Sequence, residues 1–100
     1  MTTRPDPANL AVTIGEFSVD VVGCHNLRGL QVFVDSEENT GSVTVALAHN
    51  TDRAQKSALA DFADVERAFF DDAILSFSFV RDIDHAPPAV PPNVRHFSYA

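Results

Sequence analysis

The chain has 100 residues and a mass of 10.9 kDa, which is one domain and too little for a doubly wound nucleotide enzyme or a TIM barrel. Hydrophobic residues at 45% and charged residues at 21% give the composition of a folded domain rather than a disordered chain. Fourteen acids oppose seven bases, a formal charge of −7, and the scattered bases form no positive stripe, so neither nucleic acid nor an anionic membrane is expected as a partner.

Residues 1–9, with Pro5 and Pro7 and no apolar run, are expected to form a flexible N-terminal arm and read as neither signal peptide nor anchor. Residues 10–22 read as a first β region, in which Leu10, Val12 and Ile14 alternate with Ala11 and Thr13. After Gly15 the parity changes, and Phe17, Val19 and Val21 alternate with Ser18 and Asp20. A glycine where a strand changes face is the usual mark of a bulge or bend. Residues 23–29 form a connection, and residues 30–35 the next strand, with Leu30, Val32 and Val34 on one face. The polar stretch 36–41 is a turn, and residues 42–48 alternate again through Val43, Val45 and Leu47. These two strands are expected to make an antiparallel hairpin.

Asn50 or Thr51 can cap a helix running to about Phe69, its apolar stripe made by Ala58, Leu59, Phe62, Val65 and Phe69. Asp71 and Asp72 suit a connection better than the negative end of a helix. Residues 73–81 are the last strand, with Leu75, Phe77 and Phe79 on one face. Residues 82–100 form a proline-rich arm whose Val94, Phe97 and Tyr99 are too apolar for a free tail, so the arm is expected to dock on its own domain or on a neighbouring subunit. The expected order is therefore β-β-β-α-β over residues 10–81. It implies a two-layer α+β sandwich of mostly antiparallel sheet, one helix on one face, and an extended C-terminal arm. No motif ties that order to a family.

One cysteine, Cys24, allows no intrachain disulfide and no cysteine-rich zinc site. His25 beside it could lower the thiol's pKa, although neighbours in a chain often point apart, and an idle thiol is the expectation. Asp82, Asp84, His85 and His96 carry metal-binding groups at a spacing that matches no compact motif, so no metal and no cofactor are expected. Counted from Asp35, the loop positions where an EF-hand needs glycine and glutamate hold Thr40 and Ala46, which leaves a hairpin turn.

Parity places Phe33, Ile74 and Val80 on the sheet face away from the helix, among small and polar residues. A contiguous apolar patch there marks an interface, covered by Phe97 and Tyr99 of the arm or by a second subunit. The leading expectation is a small acidic binding or regulatory module, cytoplasmic and of bacterial composition (arginine outnumbers lysine six to one). It would work by protein–protein contact without catalysis, as a homodimer or with a basic protein partner. One alternative is a small ligand-binding enzyme with a pocket between sheet and dimer mate, its polar groups drawn from Glu16, Asp20, His25 and His49. Another is an acidic antagonist that occludes a basic site.

Overall fold

Two alternating runs about a polar turn make the centre of the sheet. In the computed structural model, which describes residues 7–23, 26–35, 37–81, 83 and 94–99, these are β1 (Leu27–Asp35) and β2 (Thr40–Leu47). They pair antiparallel with Val32 opposite Val43 and Leu30 opposite Val45, the hairpin expected from the alternation. The turn is fastened by Asp35, whose Oδ1 accepts from the backbone amides of Glu37 at 2.9 Å and Glu38 at 3.2 Å. Asn39 takes a φ of 55°, a left-handed conformation that asparagine enters more readily than most residues.

The chain then enters α2 (Asp52–Ala68). Thr51 is its N-cap, accepting from the Ala54 amide at 3.1 Å, and Asp52 places a negative charge in the first turn. Ala58, Phe62 and Val65 are buried along the helix and Phe69 just beyond it. Leu59, expected in the stripe, is 46% exposed, since it lies one residue round the helix from Ala58 and only one of the two can face the sheet. The helix returns the chain to β3 (Ile74–Val80), which runs parallel to β2. The last element, β4 (Val94–Tyr99), pairs antiparallel with the free side of β1, Phe97 opposite Val32 and Tyr99 opposite Leu30. The sheet order is β3-β2-β1-β4. The C-terminal segment thus docks in cis as a strand, while the proline pairs expected to form an extended arm lie outside the described residues.

The expected first β region is instead a helix, α1 (Pro7–Val22). Its buried positions, Leu10, Ala11, Ile14, Ser18 and Val22, recur at three and four residues, which is a helical stripe and not an alternation. Phe17, which the alternation put on the apolar face of a strand, is exposed, and Val19 and Val21 are only partly buried. Hydroxyls that would weaken a helix are satisfied within it. Thr13 donates to the Asn9 carbonyl at 2.6 Å and Ser18 to the Ile14 carbonyl at 2.7 Å, so Ser18 can be fully buried. The helix stops at Gly23, φ 88°, whose amide donates to the Val19 carbonyl at 2.8 Å. Gly15 is no bulge: it is where α1 crosses the Phe97 ring of β4, leaving no room for a Cβ. The order is therefore α-β-β-α-β-β, an α+β fold with two helices and a mixed sheet, in place of the expected β-β-β-α-β with one helix.

Strand register puts Leu30, Val32, Val43, Val45, Leu75, Phe77, Phe79, Phe97 and Tyr99 on one face. Both helices touch that face. Gly15 of α1 meets Phe97, and Phe62 of α2 stacks on Phe77 with centroids 4.7 Å apart and planes 16° apart. The helices meet through Phe17 and Phe69, edge to face at 5.9 Å.

Candidate protein-contact surfaces

The other sheet face carries Phe33, Thr44, Ser42, Ser76, Ser78, Val80 and His96 by the same register. Phe33 lies opposite His96, ring centroids 4.9 Å apart, and the Ser98 hydroxyl is hydrogen-bonded to His96 Nε2 at 2.6 Å. Partial burial holds the His96 imidazole below its ordinary value of 6.5, because the charged form loses hydration there. A shallow depression of about 170 Å³ lies between Phe33, Asp35, Thr40, Ser42, Ser76 and Val94. One end of this face is covered: Ile83 is buried, and a Cβ at Gly29 would come within 2.9 Å of its side chain. Gly29's ladder partner Ala46 is fully buried as well.

The five residues expected at an interface are separated by the sheet. Phe33, Ile74 and Val80 have the register of the open face, whereas Phe97 and Tyr99 pack against the core on the helix side. The idea that Phe97 and Tyr99 cover the open face is therefore corrected. Their parity is that of Val32 and Leu30, which already face the helices.

Among the described residues, the two most exposed large apolar side chains, Phe70 and Ile74, line one depression. After α2 the chain makes a tight turn in which the amides of Asp72 and Ala73 both donate to the Phe69 carbonyl, at 2.9 and 3.0 Å. That turn sends Phe69 inward and Phe70 outward, 74% exposed. Ile74, anchored by its amide to the Asn39 carbonyl at 2.9 Å, is 73% exposed. Together with Glu38, Asn39, Asp71 and Asp72 they line a depression of about 290 Å³. Sequence reasoning found Ile74 by parity but missed Phe70. The available signal was its place one step out of phase with the α2 stripe, directly after Phe69.

A separate cleft of about 160 Å³ lies between Val22, Asn26, Leu47, His49, Ser57, Ala58 and Asp61. Of the three expected pocket groups among the described residues, Glu16, Asp20 and His49, only His49 lines it. Glu16 and Asp20 are exposed and fall two residues from Ile14 and Ser18, on the outer side of α1. His25 lies outside the described residues, as do Cys24, Asp82, Asp84 and His85. Among the described residues no group of three or more histidine, cysteine or acidic side chains is placed to hold a metal ion. No helix among the described residues is long and apolar enough to cross a membrane. No protein-family model matches the sequence, and no curated protein or solved structure is significantly similar to it.

Proposed function

We propose that this chain is a non-catalytic module that acts by protein–protein contact, and that its partner presents a basic segment with apolar side chains. The arrangement that fits this role is a two-layer one, with the helices on one sheet face and the contact surface at the Phe70 end. The observation that carries the reading is the pair Phe70 and Ile74, exposed together in one depression with Glu38, Asp71 and Asp72. Two large apolar side chains held in water beside each other are a contact surface in waiting. Covering both would contribute about 3–6 kcal/mol before ordering costs. The surrounding acids favour a cationic partner by complementarity and speed its approach. Cytoplasmic residence fits such a role.

Titration of the 15N-labelled protein with a synthetic peptide of alternating lysine and leucine tests the reading. Shift changes are expected to centre on residues 37–40 and 70–75, to weaken at least about tenfold in Phe70→Ser, and to fade in high salt. Shifts confined to the open sheet face, or none at millimolar peptide, would reject it. A second reading, a small-ligand site, rests on the cleft where His49, Ser57 and Asp61 converge. It requires a ligand whose binding is abolished by His49→Ala and untouched by Phe70→Ser.

A further inference from the structure

Among the described residues, β3 is hydrogen-bonded to β2 on one side and to no strand on the other. We propose that this outer edge pairs antiparallel with β3 of a second copy of the chain, about a two-fold axis through Phe77, making one sheet continuous across a homodimer.

The bonding direction of each residue follows from the ladder. The Ile74 amide donates to Asn39, and Ile74 lies opposite Thr40 in a parallel pair. Alternate residues of a strand bond to the same side. Ile74, Ser76, Ser78 and Val80 therefore bond toward β2, while Leu75, Phe77 and Phe79 direct amide and carbonyl outward. A two-fold axis through Phe77 sets Phe77 against its own copy and Leu75 against the second copy's Phe79. Every residue brought into a bonding pair is one whose backbone already faces out, and about six inter-chain hydrogen bonds result.

The side chains agree with the same axis on both faces. Read outward from Phe77, the sequence Ile-Leu-Ser-Phe-Ser-Phe-Val matches serine with serine, Leu75 with Phe79 and Ile74 with Val80. On the helix side, Phe77 and Phe79 have core register yet stay only partly buried, because the sheet ends at β3. The second copy supplies the missing cover, aromatic against aromatic.

Charge permits this pairing where it would oppose most others. The chain carries −7, but β3 contains no charged residue and no proline, the two devices that usually blunt an edge. Beyond its ends, Arg81 of each copy comes beside the Asp71–Asp72 turn of the other, a complementary contact made twice. This surface meets the partner site proposed above at Ile74 and the Asp71–Asp72 turn but does not include Phe70 or Glu38.

Sedimentation equilibrium tests the proposal. The wild-type mass is expected to rise from 10.9 kDa toward twice that value as concentration increases, with a dissociation constant on the order of micromolar. Ser76→Lys with Ser78→Lys sets lysine against lysine across the axis on exposed positions. It should weaken association at least about tenfold while the circular dichroism spectrum of the folded chain stays unchanged. Ser76→Lys with Ser78→Glu sets lysine against glutamate at both places and should restore the dimer. A wild type that stays at 10.9 kDa, a double-lysine chain as dimeric as wild type, or a charge-swapped chain that stays monomeric overturns the proposal.

Should the variants not fold, hydrogen exchange on the wild type decides. Protection of the outward amides of Leu75, Phe77 and Phe79 must rise between about 5 and about 500 µM protein, and no change overturns the pairing. Peptide binding by the monomeric double-lysine chain keeps the two surfaces apart. If it binds while wild type fails to dimerise, the partner reading stands alone.

Discussion

Gly15 carries more of the fold than its size suggests. In an isolated helix, replacing it with alanine would stabilise by up to about 1 kcal/mol, because glycine is the costlier residue to order. Here the new methyl would enter the Phe97 ring of β4, and relief requires that ring or the helix to move. Gly15→Ala is therefore expected to destabilise by about 1–3 kcal/mol, the usual range for overpacking. Urea melts measure the sign, and a stabilised variant would show that the crossing of α1 over β4 is wrong. His96 offers a second test at this scale. It faces Phe33 across the ladder, has Ser98 beside it, and shares its sheet face with Asp35 farther along β1. Burial lowers its pKa below 6.5, so between the two values the unfolded chain binds more protons than the folded one. Stability from this group is complete above about pH 6.5 and declines as pH falls through the lowered value. Denaturant melts from pH 8 to pH 5 should show wild type losing more stability than His96→Gln, and equal losses would count against it.

At the scale of elements, the two helices separate what pattern can reveal from what it cannot. In α2 the stripe, the cap and the polar outer face all agree, so its span and a cap at Asn50 or Thr51 were legible, and Thr51 is the one whose side chain caps it. The remaining ambiguity, Ala58 or Leu59, is a matter of phase that burial settles. Phe62 is fully buried and stacked on Phe77, so Phe62→Ala should cost about 3–5 kcal/mol, while Leu59→Ala should cost under about 1 kcal/mol. Equal costs in paired melts would place the helix in a different phase. In α1 the signals conflict. Its valines, isoleucine and threonine have high strand propensity, and Gly15 breaks the alternation where a bulge would. The helical stripe was present, but Ala11 and Ser18 hold two of its positions, and a scan for large apolar residues passes over both. Gly23 at a helix end was a usable stop signal. The strand β4 was legible as apolar and docked, not as a strand, because its partner lies about sixty residues earlier and no local pattern records a distant register. The candidate surfaces followed the same rule. Parity alone found Phe33, Ile74 and Val80, whereas Phe70 depends on the turn after α2 and Phe97 and Tyr99 on the register of β4.

Across the whole molecule, the first and last elements hold each other. The hairpin β1–β2 closes locally, and α2 carries the chain directly to β3. The side of β1 away from β2 is completed only by β4, and the core above it only by α1, which touches both β1 and β4. Each also packs on β1, but α1 fills the slot over Phe97, and Phe97 and Tyr99 share the core register of the face on which α1 lies. Losing β4 strips α1 of part of its packing, and losing α1 leaves the apolar face of β4 in water. The two should therefore open as one cooperative unit, below the free energy at which β1 and β2 separate. Native-state hydrogen exchange as a function of denaturant is expected to merge the amides of α1 and β4 into one isotherm. Those of Val32 and Val43 should stay on a higher one. Gly15→Ala acts at the contact between the two, so it should lower the α1–β4 isotherm and the global one by the same full cost and leave the free-energy gap between them unchanged. If α1 exchanges with the central hairpin while β4 opens alone, the coupling is absent and β4 is an appended strand.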